Sequence, residues 1–236
     1  MHVLYNSHGI IIAIINRPPA MAETYSENHL DLFQYPARII AVGYSNSGKS
    51  DLVERLILKY QKNFKKVVIC GLASHPLQRN KEIGSKVIVS PEIIDPIANE
   101  DTFDHRGTLF VLDDIFIDAV KNKAVVDAFT RGRHNNISCI FITQNLYMGG
   151  KHARNISLNC SHFLLLRQRD LSQIQCLGRQ IFGRERANQF VEIYKYAVYS
   201  RPYGYLLVDL GINTPESLQF RSNIVGEPPG ERVFQW

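Results

Sequence analysis

Residues 38–50 read RIIAVGYSNSGKS, a short apolar run followed by a glycine-rich turn, a lysine and a serine. From Gly43 to Ser50 the segment matches the phosphate-binding pattern G-x-x-x-x-G-K-[ST] at every fixed position. The apolar run predicts a buried strand over 38–42, and apolar side chains at helical spacing predict a helix over 49–62. A strand, a glycine-rich turn and a helix in this order form the context in which the pattern binds phosphate.

The residue types in the turn suit a nucleotide site. Gly43 and Gly48 permit backbone torsions that point successive N–H groups at a phosphate, and the helix N-terminus adds its positive end. Lys49 supplies a mobile charge to the β- and γ-phosphates, and the Ser50 hydroxyl is placed to ligate Mg²⁺. A glycine-rich turn with a solvated lysine is the alternative. We predict nucleotide contacts from Gly43, Tyr44, Ser45, Asn46, Ser47, Gly48, Lys49, Ser50 and Asp51.

A second apolar strand, predicted over 109–112, ends in two carboxylates, Asp113 and Asp114. We expect it to neighbour the phosphate-loop strand, so that Asp113 holds the hydration shell of Mg²⁺ in the Walker-B role. Asp114 would then orient and polarise an attacking water. An acidic cap on a helix predicted over 117–129 is the alternative explanation of these residues.

The strand predicted over 139–143 is framed by polar groups at both ends. It is followed by Gln144, whose amide can donate to the γ-phosphate and accept from the attacking water, or simply cap backbone groups. Arg131 and Arg133 precede it. In a ring assembly such arginines reach a neighbour's γ-phosphate, whereas a solvated basic turn at a helix C-terminus explains them equally well.

The composition is that of an ordinary globular protein. The chain has 236 residues, of which 45% are hydrophobic and 21% charged, with a formal net charge of +5. This mild excess permits a polyanionic partner without requiring one. The cysteines form no CxxC pair and three of them lie in apolar runs, which favours reduced thiols in an intracellular compartment over disulfides or zinc. The apolar runs are too short to span a bilayer.

Buried strands alternate with helices along most of the chain. This pattern predicts an α/β protein with a mainly parallel sheet covered on both faces, a three-layer αβα sandwich. We assign 31–225 to one ATPase domain, 1–30 to an N-terminal extension and 226–236 to a C-terminal tail. The apolar run at 10–15 is interpreted either as a stray strand or as residues upstream of a true start at Met21. Gly and Pro are frequent after Gly211, and we expect an irregular arm there.

Several segments together resemble the viral genome-packaging ATPases of the FtsK/HerA superfamily. Besides the phosphate loop and the acidic strand end, they are FTRGRHNN at 129–136, TQN at 143–145 and PYGYLLVD at 202–209. The resemblance covers about residues 32–225 and is closest to the ATPases of Maverick/Polinton elements and of adenovirus- or poxvirus-like viruses. It implies a P-loop NTPase of the ASCE, RecA-like type. The resemblance further implies that the protein uses ATP and Mg²⁺ as cofactors. It also implies assembly into a homo-oligomeric ring, expected to be a hexamer.

The resemblance also implies partners and roles. Such a ring drives double-stranded DNA into a preformed capsid, so a capsid or portal-vertex protein is an expected partner and a membrane is not. The expected location is intracellular, in the host nucleus, at the virus assembly site or in the virion. Carried onto this chain, Asp114 activates water, Gln144 senses the γ-phosphate, and Arg131 or Arg133 is a finger offered in trans.

Basic loops are the candidates for DNA contact. Lys151, His152 and Arg154 follow two glycines after the predicted sensor strand, and such a loop would grip phosphates without sequence preference. Arg184 and Arg186 are a second candidate, and a solvated loop is the alternative for both.

Other functions also fit the phosphate loop. A small-molecule or nucleotide kinase would need an arginine lid over the phosphates, which Arg179, Arg184 and Arg186 would supply. A non-packaging nucleic-acid-dependent ATPase and a nucleotide-binding scaffold are the remaining alternatives.

Overall fold

The computed structural model describes most of the chain. The described residues are 2–5, 11–15, 22–26, 32–33, 35–95, 107–113, 122–147, 156–227 and 230–236, and the first three of these ranges are described by their backbone path alone.

Twelve strands and three α-helices have their bounds within these residues, which also contain short 3₁₀ turns and a helical segment at 156–158. The strands are β1 (His2–Tyr5), β2 (Ile11–Ile15), β3 (Ala22–Ser26), β4 (Arg38–Val42), β5 (Lys66–Cys70), β6 (Val87–Ser90), β7 (Thr108–Asp113), β8 (Ile137–Thr143), β9 (His162–Leu165), β10 (Leu206–Asp209), β11 (Phe220–Ser222) and β12 (Glu231–Gln235). The helices are α1 (Lys49–Lys59), α2 (Lys123–Arg131) and α3 (Leu171–Tyr199). Glycine interrupts α3 at Gly183, where φ is 79° and ψ is 174°.

Ten strands form one sheet in the order β3-β12-β11-β10-β9-β4-β8-β7-β5-β6. The six strands β9, β4, β8, β7, β5 and β6 are parallel to one another. The other four, β3, β12, β11 and β10, extend the sheet beyond β9 in antiparallel pairs. The predicted α/β fold with a large, mostly parallel sheet is therefore confirmed. β1 and β2 pair separately as an antiparallel hairpin.

Alternating side chains of the buried strands divide the core between the two faces of the sheet. In β4, Ile39 packs in one hydrophobic cluster and Ile40 in the other. The apolar face of α1 packs in the first cluster, with Leu56 fully buried. α2 and α3 pack in the second, through residues such as Phe129 and Phe190. This places helices on both faces of the sheet, as predicted.

Helix boundaries differ from the predictions by a few residues. α1 ends at Lys59, and a 3₁₀ turn at Gln61–Asn63 covers the rest of the segment predicted to be helical. α2 begins after Asn122, whose side chain accepts a hydrogen bond of 2.9 Å from the Ala124 N–H. Residues 117–121, the first part of the helix predicted over 117–129, lie outside the described residues.

The irregular arm predicted after Gly211 is wrong, because β11 and β12 belong to the main sheet. Phe220 and Phe234 of these strands are fully buried against α3. The segment after Gly211 therefore contributes side chains to the hydrophobic core. Glycine and proline occur there in turns, so composition did not reveal the strands. β12 also pairs with β3, so strands from the 1–30 and 226–236 segments lie side by side in the sheet.

The helices of the described residues are all too short or too polar to cross a membrane.

Candidate nucleotide-binding site

The phosphate loop lies at the edge of the sheet where the parallel strands end, which we call the carboxyl edge. Residues 43–48 connect β4 to α1, and the loop is fixed by a hydrogen bond of 3.0 Å from the Tyr44 N–H to the Arg167 carbonyl beyond β9. Left-handed torsions occur at Asn46 (φ 62°) and Gly48 (φ 90°). These torsions turn the chain sharply into α1, so the helix N-terminus faces the loop.

The loop has room only for glycine at position 43. A Cβ at this position would lie 2.4 Å from the Ser47 Oγ and 2.8 Å from the Leu166 Cβ. Both distances are shorter than side-chain contacts allow, so a larger residue would force the loop away from β9. This explains in physical terms the first fixed position of the sequence pattern.

Lys49 reaches back across the loop that precedes it. Its Nζ donates hydrogen bonds to the carbonyls of Gly43, at 2.9 Å, and Tyr44, at 3.0 Å. The ammonium group is therefore held at the mouth of the loop, where it would meet a bound phosphate.

Ser50 and Asp113 meet across the carboxyl edge. The Ser50 Oγ donates a hydrogen bond of 3.2 Å to the Asp113 Oδ2, and Asp113 is buried at the end of β7. A hydroxyl and a carboxylate are the oxygen ligands that suit Mg²⁺. Within the described residues no group of three or more His, Cys, Asp or Glu could hold a metal ion. Magnesium at this point would need phosphate and water oxygens as well, which is how nucleotide-bound Mg²⁺ is usually held.

The order of the strands corrects one prediction. We expected the strand ending in Asp113 to neighbour the phosphate-loop strand, but β8 lies between β4 and β7. Gln144, directly after β8, is therefore at the carboxyl edge between the phosphate loop and Asp113, with an exposed side chain. Asp114 lies outside the described residues.

Arg131 and Arg133 lie at the opposite edge of the sheet, which we call the amino edge. Arg131 ends α2, Arg133 is in the 3₁₀ turn Gly132–Asn135, and both side chains are exposed. β8 then crosses the sheet from Ile137 to Thr143. A strand of this length spans roughly 20 Å, so neither arginine reaches the phosphate loop of its own chain.

The candidate DNA-contact residues have different outcomes. Lys151, His152 and Arg154 lie in 148–155, outside the described residues. Arg186 donates a hydrogen bond of 2.8 Å to Glu216 and lies over the Trp236 ring. Glu216 follows β10 at the amino edge, so Arg186 is engaged far from the phosphate loop.

A cavity that the sequence analysis did not predict adjoins the phosphate loop on the β9 side. It measures about 500 Å³ and is lined by Tyr44, Asn46, Ser47, Arg167 and residues 198–204. The Ser47 Oγ is buried and has no hydrogen-bond partner among the described residues. The turn at 202–204 was visible in the sequence as PYG, yet only pairing of β10 with β9 brings it to this edge. The cavity has room for the sugar and base of a nucleotide.

Tyr194 of α3 fixes the strand end that supports this cavity. Its hydroxyl accepts from the Gln168 N–H and donates to the Leu166 carbonyl, both at 2.9 Å. Burial raises the pKa of Tyr194, so the hydroxyl stays protonated and keeps its donor role. The arrangement positions Arg167, whose guanidinium lies 4.6 Å from the centre of the Tyr199 ring.

Solved structures share this fold, although no protein-family model and no curated protein matches the sequence. The genome packaging NTPase B204 from Sulfolobus turreted icosahedral virus 2, in complex with ATPγS, has a TM-score of 0.52 at 15% identity. That likeness covers 76% of this chain and 95% of the NTPase. The pCW3 conjugation coupling protein TcpA with ATPγS has a TM-score of 0.51 at 12% identity, over 94% of this chain and 69% of TcpA. At such identities the likeness establishes the fold.

Proposed function

We propose that this chain is an ATP-hydrolysing DNA translocase of the FtsK/HerA type that packages double-stranded DNA into a capsid. The observation that carries the proposal is the meeting of the phosphate loop with Asp113, through the Ser50 hydroxyl, at the carboxyl edge. The fold is shared with a packaging NTPase and a conjugation coupling protein, both solved with ATPγS, which supports ATP as the nucleotide.

The proposed reaction is attack of water on the γ-phosphorus of ATP, which releases ADP and phosphate. The loop N–H groups and Lys49 would bind the phosphates, and Ser50 with Asp113 would hold Mg²⁺, which would neutralise phosphate charge when bound. In this proposal Asp114 orients the water and accepts its proton, and Gln144 contacts the γ-phosphate. The exposed position of Gln144 between the loop and Asp113 supports that role.

A ring of identical subunits completes the proposal. Arg131 and Arg133 lie at the edge away from their own loop, which suits a contribution to a neighbour's site. Hexameric stoichiometry, a capsid or portal-vertex partner and DNA contact through Lys151, His152 and Arg154 follow from the sequence resemblance alone.

ATP turnover with and without double-stranded DNA tests the function. We expect the wild-type chain to hydrolyse ATP faster when DNA is added, with the stimulation falling as salt is raised. Lys49→Ala should abolish hydrolysis while circular dichroism and the urea midpoint stay unchanged, and Lys81→Ala, at an exposed site, is the matched control. ATP hydrolysis that DNA does not stimulate at any salt or protein concentration would contradict the proposal of a translocase.

The kinase alternative is weakened by the position of its proposed lid. Arg186 is bound to Glu216 at the amino edge, whereas a lid must close over the carboxyl edge. Transfer of labelled γ-phosphate to a small acceptor rather than to water would reinstate it.

A further inference from the structure

The cavity beside the phosphate loop lies on one particular side of the site. Asp113 ends β7 and Gln144 follows β8, and both strands lie on the same side of β4. The cavity lies on the other side of β4, next to β9. A nucleotide bound with its γ-phosphate toward Asp113 therefore directs its sugar and base toward the cavity.

Tyr203 packs against the phosphate loop at the border of this cavity. Its Cδ1 is 3.0 Å from the point that a Cβ at Gly48 would occupy, so the ring lies close over the glycine. Gly48 is the residue before α1, in the part of the motif whose N–H groups cradle the α- and β-phosphates. The ring is therefore next to the place where the sugar and base leave the phosphates.

Of the three tyrosines that line the cavity, Tyr203 has the open ring. The ring of Tyr44 carries the guanidinium group of Arg169, 5.3 Å from its centre. The ring of Tyr199 carries that of Arg167, at 4.6 Å. Among the described residues the Tyr203 ring has no such partner, and the residue is 72% exposed. An exposed aromatic ring suits stacking, because every nucleic-acid base has a flat π-face.

The turn that carries Tyr203 is held in one conformation by α3 and β12. Tyr203 has a left-handed φ of 54°, which is uncommon for a bulky residue and persists only where the surroundings support it. A Cβ at Gly204 would lie 2.5 Å from the Val198 carbonyl oxygen, so the turn packs directly on the end of α3. The Ser200 hydroxyl accepts a hydrogen bond of 3.0 Å from Arg232 of β12. A ring on a fixed turn loses little freedom when it binds a ligand.

A largely buried carboxylate connects the same turn to the phosphate-loop helix. The Oε1 of Glu227 lies 3.5 Å from the Nη2 of Arg201, in the turn, and 3.2 Å from the Nη2 of Arg55, in α1. The Glu227 side chain is 11% exposed, so solvent screens these ion pairs only partly. The tyrosine and the loop are therefore positioned relative to each other before a nucleotide binds.

Several polar groups around the cavity already bind other parts of the protein. The Tyr199 hydroxyl donates a hydrogen bond of 3.1 Å to the Gln168 carbonyl, and Ser200 and Arg201 have the partners described above. The unpartnered Ser47 hydroxyl belongs to the phosphate loop itself. These engagements favour recognition of a base through its flat face over recognition of its hydrogen-bonding edge.

We infer that the base of the bound nucleotide stacks on Tyr203, and that the site takes both purine nucleoside triphosphates, ATP and GTP, in preference to CTP and UTP. The two fused rings of a purine cover more of the tyrosine than the single ring of a pyrimidine does. Stacking discriminates little between adenine and guanine, because it does not read their hydrogen-bonding edges. The inference rests on the proposed function, because it takes the phosphates to lie in the loop.

Titration calorimetry of the full chain with nucleoside diphosphates and Mg²⁺ tests the inference. Diphosphates have no γ-phosphate to lose, so binding is measured without turnover. We expect ADP and GDP to bind with dissociation constants within about threefold of each other, and CDP to bind about fivefold or more weakly. Inorganic pyrophosphate, which has neither sugar nor base, measures binding to the loop alone.

Variants of Tyr203 separate stacking from a structural role. Tyr203→Ala should raise the dissociation constants of ADP and GDP by about tenfold and leave that of pyrophosphate unchanged. Tyr203→Phe keeps the ring and should bind all four ligands as the wild type does. Tyr35→Ala, which removes an exposed tyrosine at the amino edge, is the matched control.

Three results would overturn the inference. Tyr203→Ala that weakens ADP and pyrophosphate equally would show that the residue only shapes the loop. Tyr203→Phe that binds as weakly as Tyr203→Ala would assign the effect to the hydroxyl rather than the ring. CDP that binds wild type as tightly as ADP, or GDP that binds as weakly as CDP, would contradict selection of purines by stacking.

ATP turnover distinguishes this inference from the proposed function. Base stacking contributes equally to the bound substrate and to the transition state, so Tyr203→Ala should raise KM for ATP by about tenfold at an unchanged kcat. A wild type that binds ADP and GDP as expected but does not hydrolyse ATP would contradict the proposed function alone. DNA-stimulated hydrolysis with the same KM in the wild type and in Tyr203→Ala would contradict this inference alone.

Discussion

The Ser50 hydroxyl donates a hydrogen bond of 3.2 Å to the carboxylate of Asp113, although 63 positions separate the two residues in the chain. Ser50 is the second residue of α1 and Asp113 ends β7, and β8 lies between β7 and β4, the strand that precedes the phosphate loop. The parallel sheet therefore brings together, at the mouth of the phosphate loop, the hydroxyl and the carboxylate that we propose as Mg²⁺ ligands.

Removing the Asp113 carboxylate should impair catalysis more than folding. Asp113→Asn keeps the hydrogen bond from Ser50 but loses the charge that attracts Mg²⁺, so we expect ATP turnover to fall by about 10- to 100-fold. A Mg²⁺ titration of turnover should shift to higher concentration. Asp127→Asn, on α2, is the control, and equal losses in both variants would argue against a metal role.

Replacing Gly43 should affect both the loop and stability. The Cβ of Gly43→Ala would lie too close to Ser47 and Leu166, so we expect a loss of about 1–3 kcal/mol and weaker nucleotide binding. Gly132→Ala is the matched control, because its Cβ would lie 3.5 Å from the nearest atom at a helical φ of −54°. Urea unfolding and binding of a fluorescent ATP analogue measure the two effects. A Gly43→Ala protein as stable and as tight-binding as Gly132→Ala would refute the steric explanation.

Asp209 should make stability depend on pH in the acid range. Burial alone raises the pKa of its carboxyl, but hydrogen bonds and charge from His162, together with the Gly211 N–H and the Thr214 hydroxyl, outweigh burial and leave the pKa below the ordinary value. The stabilisation is then complete above the unfolded-state pKa of about 3.9 and is lost as the pH falls below it.

Asp209→Asn tests this dependence. The amide leaves the Arg221 guanidinium, which is 1% exposed, without its charged partner on β10. We expect a loss of about 3–5 kcal/mol in the free energy of unfolding near neutral pH and a flatter dependence on acid. Unfolding in urea over a range of pH measures both quantities, with Asp51→Asn as an exposed control. A variant that loses stability in acid as steeply as the wild type would show that another group is responsible.

Thiol chemistry should single out one cysteine. Cys70, Cys139 and Cys160 are buried, whereas Cys176 is exposed on α3. Burial raises the pKa of Cys139 to about 12, which leaves little thiolate to react near neutral pH. With a chromogenic disulfide reagent, native protein should react rapidly at one thiol. Cys176→Ser should remove that phase, and a rapid phase that persists would place a buried cysteine in contact with solvent.

Local pattern was sufficient for the central strands and the phosphate loop. The glycine and lysine spacing between 43 and 50 fixed the loop, and unbroken apolar runs fixed β4, β5, β7 and β8. The helix ends were less accurate because a 3₁₀ turn and an α-helical turn have nearly the same apolar spacing. The strands after Gly211 were missed because their sequences, FRS and ERVFQ, contain no unbroken apolar run and their stabilising contacts are distant in sequence.

The sequence by itself determined that a phosphate loop follows a buried strand, that carboxylates end another, and that arginines precede a third. These features depend on residue type and on the spacing of residues close together in the chain, both of which can be read directly from the sequence. Only the tertiary structure decided that β8 separates β4 from β7, that Arg133 lies at the edge opposite Lys49, and that Arg221 is buried between Asp209 and Glu231. Strand order and buried ion pairs depend on contacts between segments that are distant in sequence. Local hydrophobic periodicity does not predict such contacts.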